Sequence, residues 1–214
     1  MRISSPDRPK DPFSAALDAL RLQLRGGRLI LGEPLTITDL AEDLGLSATP
    51  VREALSRLAG EGLIEDRRGR GYFARRVDVT DLVELYGLRG LYLAGALGID
   101  SGDAARGDLN QESGPDAPGA SGGLSQLFDR LMARAGNRAL FDAYRLVADR
   151  LAPATAVEAS IFSIDDDLKI FEAALSDRRR EVLERVVIAH HAGRQARAGE
   201  IVRGMRAHSN ISSL

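Results

Sequence analysis

The stretch from Ser47 to Arg76, SATPVREALSRLAGEGLIEDRRGRGYFARR, constrains this chain most. It opens with residues that start a helix, runs on as an amphipathic helix, stops at Gly62 and passes into an arginine-rich turn. Val51, Ala54, Leu55 and Leu58 recur at helical spacing and give one apolar face, while Arg52, Glu53, Ser56 and Arg57 fall elsewhere. Leu63-Ile64-Glu65 and Tyr72-Phe73-Ala74 flank the turn Arg67–Gly71 and read as a β-hairpin, or wing. That order sets an exposed helix face beside concentrated positive charge. Duplex DNA is the first ligand to need such a pairing, because a helix enters the major groove while arginines hold the flanking phosphates.

The residues just upstream support the same reading. Phe13, Ala16, Leu17, Leu20 and Leu24 predict a first helix, stopped by Gly26-Gly27, and residues 28–35 read as a connector. Thr36 can cap a second helix whose apolar face is Ile37, Leu40, Ala41 and Leu44, with Gly45 as a left-handed stop. The turn Gly45-Leu46-Ser47 leads at once into the third helix, capped by Ser47 or Thr49. Pro50 is tolerated there because a first-turn N–H has no intrahelical partner. Two helices joined by so short a turn fit helix-turn-helix spacing.

Net charge is only -2, but it is unevenly placed. Residues 1–77 hold 13 Lys and Arg against 11 Asp and Glu; residues 78–214 hold 16 against 20. Five arginines and no acid lie within 67–76. The local field governs docking more than the total does. The absence of cysteine excludes disulfides, thiolate nucleophiles and Cys-ligated metal sites. No apolar run reaches the ~18–20 residues that span a bilayer, and MRISSPDRPKDPFSAALDAL lacks a signal-peptide hydrophobic region. A cytoplasmic protein is expected. The Walker loop, GxGxxG, HExxH and GxSxG are all missing, so no enzyme signature is present.

Beyond Val77, helical patterning dominates. Thr80 reads as a cap for a helix over 81–98 that is apolar almost all round, hence buried or shared with a second subunit. Residues 100–123, rich in Gly, Asp and Ser, read as a flexible insert. Further helices are expected at 124–135, 138–152, 155–163, 165–176 and 178–206, with Asp165–Asp167 at a helix start. The expected fold is mainly α: an N-terminal winged helix-turn-helix with a small β-hairpin, then a C-terminal antiparallel helical bundle. The expected divisions are a flexible N-terminus at 1–11, a DNA-binding domain at 12–77 and an effector-binding and dimerisation domain at 78–208.

LAEDLGLSATPVREALSRLAGEGLIEDRRGRGYF resembles the winged-helix domain of GntR-type bacterial transcription regulators, over about residues 12–77. The matching words are LA..LG.S.TPVREAL.RL...GL, then a basic turn and Gly. The C-terminal half is similar, more weakly, to the all-helical effector domain of the FadR-like branch, through LYGLRGLYLAGAL, RAGNRALFDAYRLVADRL and the last helix with His190-His191. The resemblance implies a homodimeric repressor or activator whose bundle binds a small carboxylate or related metabolite and changes operator affinity.

Three departures stand out. Where the family usually has a base-reading arginine after the cap serine, this chain has Ala48. Metal-binding members use an Asp and three His. Here LSQLFDRLM offers Phe128 and Asp129 at the first His position, Asp166-Asp167 stand at the second, and only His190 or His191 matches the last. The glycine-rich insert also replaces a region that is helical in most members.

The candidate DNA-binding residues are Thr38, Ser47, Ala48, Thr49, Arg52, Arg57, Arg67, Arg68, Arg70 and Gly71. A hydroxyl, a first-turn N–H and a guanidinium all suit phosphate, and arginine also suits guanine. The bland alternatives are an ion pair from Arg52 to Asp39 or Glu53 and a solvated basic loop at the wing. The candidate effector residues are Arg89, Asp129, Arg145, Asp167, His190 and His191, since an inward arginine clamps a carboxylate with its fork. Adjacent histidines cannot aim both rings at one point. No cofactor and no metal is expected. The expected partners are double-stranded operator DNA, a small carboxylate effector and a second copy of the chain, with no membrane. Two other readings compete: a metal-assisted hydrolase or lyase using Asp129, Asp166 and His191, and a ligand-insensitive architectural DNA-binding protein.

Overall fold

The computed structural model describes residues 11–99, save 28 and 30, and residues 122–211, save 178. They form two compact units, one of residues up to 24 with 28–76, the other of 25–27 with 77 onward.

In the first unit, α1 (Pro12–Arg25) precedes β1 (Pro34–Leu35), α2 (Ile37–Leu44), α3 (Ala48–Gly60), β2 (Ile64–Arg67) and β3 (Gly71–Ala74). The three strands form one antiparallel sheet in the order β1-β3-β2. Leu35 is therefore paired, not part of a free connector: Pro34 and Leu35 face Phe73 and Tyr72. A two-residue strand carries no alternation to read, and its pairing comes from the returning wing strand. Ala16, Leu20, Leu40, Val51, Ala54, Leu55, Leu58 and Ile64 close the core, each at most 7% exposed. Full burial of side chains such as Leu55 and Leu58 stabilises by roughly 1.5–3 kcal/mol each.

Local chemistry explains the turns. Gly45 lies at φ +63°, and the Gly45 and Leu46 N–H groups return to Glu42 and Ala41 carbonyls, so α2 ends in a left-handed cap. Thr36 and Ser47 stand at the N-caps of α2 and α3, but neither hydroxyl makes the cap hydrogen bond. Asp11 belongs to the start of α1: its carboxylate accepts from the Ser14 N–H and hydroxyl. The rest of the expected flexible segment 1–11 lies outside the described residues.

The second unit is a bundle of α4 (Val79–Gly98), α5 (Gly122–Arg134), α6 (Arg138–Glu158), α7 (Ile164–Asp177), α8 (Arg180–Ala196) and α9 (Ala198–Ile211). The expected cap of α4 shifts from Thr80 to Asp78, which accepts from the Asp81 N–H while the Asp81 carboxylate accepts from the Asp78 N–H. The insert expected at 100–123 lies outside the described residues, except that Gly122 and Gly123 open α5. Two expected helices, 138–152 and 155–163, are one: α6 runs through Pro153 to Glu158. The proline costs a helical hydrogen bond, about 3 kcal/mol, which the buried face of Leu151, Ala154 and Val157 offsets. Conversely, the single helix expected at 178–206 is two. Arg197 leaves helical geometry, donates to the Ile161 carbonyl and pairs with Glu200, turning the chain into α9.

The bundle's core is built on Leu93, Leu127, Phe128, Met132, Tyr144, Ile164, Phe171, Leu183 and Val187. Helices α4 and α8 pack against each other. A Cβ at Gly90 would lie 3.2 Å from the His191 ring carbon Cγ, so glycine lets the imidazole sit against the α4 backbone.

Candidate nucleic-acid interface and buried polar cluster

The interface is built on α3 and the wing. Pro50, Val51, Ala54, Leu55 and Leu58 bury the inner face of α3, which turns Arg52, Glu53, Ser56 and Arg57 outward. Ser47 and Thr49 are exposed at its first turn, beside backbone N–H groups with no intrahelical acceptor. Ala48 is half-buried and presents only a methyl group. Thr38 is exposed at the start of α2 and donates to Asp39.

Among the described residues, none pairs with Arg52; neither Asp39 nor Glu53 takes it up. Arg68 and Arg70 are likewise exposed at the tip, with no ion-pair partner among the described residues. The turn is closed by the Arg70 N–H on the Arg67 carbonyl at 2.7 Å, and Gly71, at φ +88°, returns the chain. Both guanidiniums thus stand on a short, hydrogen-bonded tip.

Two of the sequence candidates are differently engaged. Arg67 pairs with Glu65 at 2.8 Å and stacks over the Phe73 ring at 4.1 Å. It is the last residue of β2, and cross-strand pairing sets Glu65 opposite Phe73, so both partners lie at hand. Arg57 pairs with Glu61 at 2.7 Å, one helical turn on, and Arg21 of α1 grips the same carboxylate at 2.7 Å. The Arg21 contact is forty residues away in sequence, beyond the reach of local patterning.

In the bundle, the effector candidates divide. Arg89, Asp167, His190 and His191 come together. Asp129 and Arg145 do not join them; they pair with each other at 3.4 Å, both partly exposed. Burial raises the Asp129 carboxyl above its usual value against the opposing pull of Arg145. Tyr86, a core residue, completes the cluster with Glu158, Arg194 and Phe162, which the sequence did not single out.

Arg194 is its centre. It donates from Nε to Glu158 at 3.1 Å and from Nη2 to Asp167, and stacks over Phe162 at 4.1 Å. The Tyr86 hydroxyl donates to the other Glu158 oxygen at 2.7 Å. Burial, then the Glu158 charge, holds the phenol well above its usual value. Burial alone would raise the Asp167 carboxyl, but the neighbouring His190 and Arg194 outweigh it and hold it below 3.8.

His191 donates from Nδ1 to the Val187 carbonyl at 2.7 Å, which leaves Nε2 to accept from Arg89 Nε at 3.0 Å. It is the neutral ring, and burial reinforced by Arg89 pushes its pKa well below 6.5. His190, packed edge-on to Phe128 and Phe171, has both ring nitrogens buried with no hydrogen bond. Its Nδ1 lies 3.8 Å from Asp167, too far for a hydrogen bond.

These donors do not suit a metal ion. Both His191 nitrogens are occupied, and a guanidinium fills the space between the two carboxylates. Among the described residues no three His, Cys, Asp or Glu side chains converge. The hydrolase constellation is not assembled either. Asp129 is paired with Arg145, Asp166 is exposed beside Lys169, and His191 is buried on Arg89.

A helix-turn-helix with a basic wing, followed by a helical bundle, is the architecture of a winged-helix DNA-binding regulator. Residues 13–73 match the family described as bacterial regulatory proteins, gntR family, and this segment is a GntR-family helix-turn-helix domain. The chain is 29% identical to the Nta operon transcriptional regulator of Aminobacter aminovorans, over 81% of this chain and 88% of that protein. It is 41% identical to the probable D-xylose utilization operon transcriptional repressor of Paenarthrobacter nicotinovorans, over 36% of this chain and only 34% of that one. Two solved structures share the fold. A putative transcriptional regulator GntR from Rhodococcus sp. RHA1 has TM-score 0.70 at 18% identity, covering 87% of this chain and 96% of its own. E. coli McbR/YncC has TM-score 0.66 at 20% identity, covering 90% and 99%. Among the described residues no helix is long and apolar enough to cross a membrane.

Proposed function

We propose that the protein is a ligand-responsive transcription repressor of the FadR-like branch that binds a palindromic operator as a homodimer. The observation that carries the DNA-binding half of this reading is the exposure of Arg52, Arg68 and Arg70 with no ionic partner among the described residues. An arginine held in that state has its whole donor fork free for phosphate or a base edge. Ser47 and Thr49 add hydroxyl and N–H donors at the α3 start.

Dimerisation is supported by α4, which leaves Leu88 36% and Leu91 67% exposed beside its buried face. Two copies related by a two-fold axis would present two α3 helices to half-sites about one helical turn, ~34 Å, apart. The bundle would act as the sensor. An effector that binds one dimer geometry better than another shifts the population towards it, and operator affinity follows.

The test is recovery and footprinting of genomic fragments bound by the purified protein at physiological ionic strength. The expected result is protection of two symmetric half-sites. No preference over random competitor would remove the reading.

A further inference from the structure

We propose that Glu61 is a positioning residue for DNA binding: anchored by Arg21, it fixes Arg57 through Nε and leaves the two terminal nitrogens of Arg57 to grip a backbone phosphate. The inference rests on the reading of α3 and the wing as the DNA interface. It adds a residue that acts on DNA only through another.

The three side chains share one carboxylate unequally. Arg21 donates from Nη2 to both Glu61 oxygens, at 2.7 and 2.9 Å. Arg57 donates to one of them only, from Nε, at 2.7 Å. The side chains of Arg21 and Glu61 are half-buried, whereas that of Arg57 is 63% exposed. Glu61 therefore keeps a cation with or without Arg57, and its burial does not call for a second arginine. One guanidinium secures the carboxylate; the other is secured by it.

The choice of nitrogen decides what Arg57 can still do. Nε is the inner donor of the guanidinium and is the one spent on Glu61. The two terminal nitrogens make no hydrogen bond among the described residues. They form the outer edge of the group, and their N–H donors remain for a phosphate.

Local helix energetics do not account for this arrangement. Glu61 stands at the C-terminal cap of α3, where its N–H closes on the Arg57 carbonyl at 3.0 Å. A carboxylate there meets the negative pole of the helix. The i,i+4 order, arginine before glutamate, is also the weaker one. Its effect on geometry is larger, because an untethered arginine samples many rotamers that binding must freeze. Arg57 lies in the last turn of α3 on the outward face. The first turns of a recognition helix read base edges, so a cation at this end is placed for the backbone.

The experiment is a double-mutant cycle at Glu61 and Arg57 in the full-length protein. It reads affinity for the genomic fragment most enriched by the wild type, at several salt concentrations. Arg57→Ala should weaken binding and lower the salt slope by about 1. Glu61→Gln removes a negative charge beside DNA, which by charge alone tightens binding. Positioning predicts the opposite sign, a loss of about three- to tenfold, because Arg57 must then be frozen on binding. In the Arg57→Ala background the same change should tighten binding or leave it level. Arg57→Lys keeps the charge and the Arg21–Glu61 pair but has no Nε to be held. It guards against a Glu61 variant that fails to fold, and should lose at least about threefold in affinity.

Binding left unchanged or tightened by Glu61→Gln would overturn the proposal. So would an equal loss from that change with and without Arg57, or wild-type affinity in Arg57→Lys. If the wild type enriches no fragment, the DNA-binding reading fails and this inference with it. If it does, and the cycle shows no coupling, this inference fails alone.

Discussion

The wing and the bundle core both depend on arginine, and they use it in opposite ways. At the wing tip Arg68 and Arg70 are exposed and uncommitted among the described residues. In the bundle Arg194 is 3% exposed and committed to two carboxylates and an aromatic face. The same side chain serves as an open donor fork in one region and as an internal brace in the other. Its neighbours decide which. A guanidinium far from carboxylates keeps its hydration until a phosphate replaces it. One buried among carboxylates gives that up on folding.

The largest effect should come from removing the brace. Arg194→Ala leaves Glu158 buried, and Asp167 half-buried, without their cation, at a cost of roughly 3–5 kcal/mol in unfolding free energy by urea titration. A loss below about 1 kcal/mol would mean that the carboxylates find other partners and that the contrast is overdrawn.

Acid should act on the same core. The depressed pKa of His190 and His191 means that the unfolded chain binds protons first as pH falls below about 6.5. Stability is therefore full above that value and declines below it, by up to ~1.4 kcal/mol per pH unit for each ring. The groups facing His190 are Asp167, which opposes the shift, and Arg194 and Arg89, which reinforce it. Asp167 acts in a lower window: its depressed carboxyl contributes above about 3.8 and loses that contribution as pH falls through its folded value. Urea titrations between pH 5 and 7.5 should show the histidine slope, and His191→Gln should flatten it. A level profile in the wild type would refute the neutral-ring assignment.

How much of this was legible in the sequence follows the same division. The apolar spacing of α3, the Gly45 stop and the glycines of the wing are local signals, and the helix-turn-helix and hairpin could be read from them. The four residues Arg89, Asp167, His190 and His191 were singled out for their chemistry. What brings them together is helix packing, which local pattern does not carry. Arg194 and Glu158 went unnoticed because one lies on α8 and the other ends α6, and each alone reads as a charged residue on a helix. The break expected between 138–152 and 155–163 is absent for the opposite reason: α6 runs on through Pro153 because its buried face overrides the local signal. The β1 strand was illegible because two residues have no period.

On the exposed side, Arg52→Ala should cost at least ~1 kcal/mol of operator binding and relax specificity at one position. Folding stability should stay within about 0.5 kcal/mol, since nothing described in the fold depends on that side chain. Competition between cognate and mutated half-sites separates the two effects. Equal affinity in wild type and variant would remove Arg52 from the interface. Replacing Arg68 and Arg70 together should weaken binding to every sequence and lower the salt slope by about 2, the signature of two lost phosphate contacts.

Arg67 is where the two uses meet, and it predicts the smallest effect. By sequence it belongs with Arg68 and Arg70. By structure it is half-spent, paired with Glu65 and stacked on Phe73. Both members of the ion pair are more than a third exposed, so solvent screens it and it contributes little. The stacking on Phe73 adds about 0.5–1 kcal/mol. Arg67→Ala should therefore lower stability by no more than about 1 kcal/mol and change the salt slope of DNA binding less than Arg68→Ala does. If the slope instead falls by a full unit, Arg67 leaves Glu65 for phosphate on binding. The boundary between brace and open fork would then be set by the DNA and not by the fold.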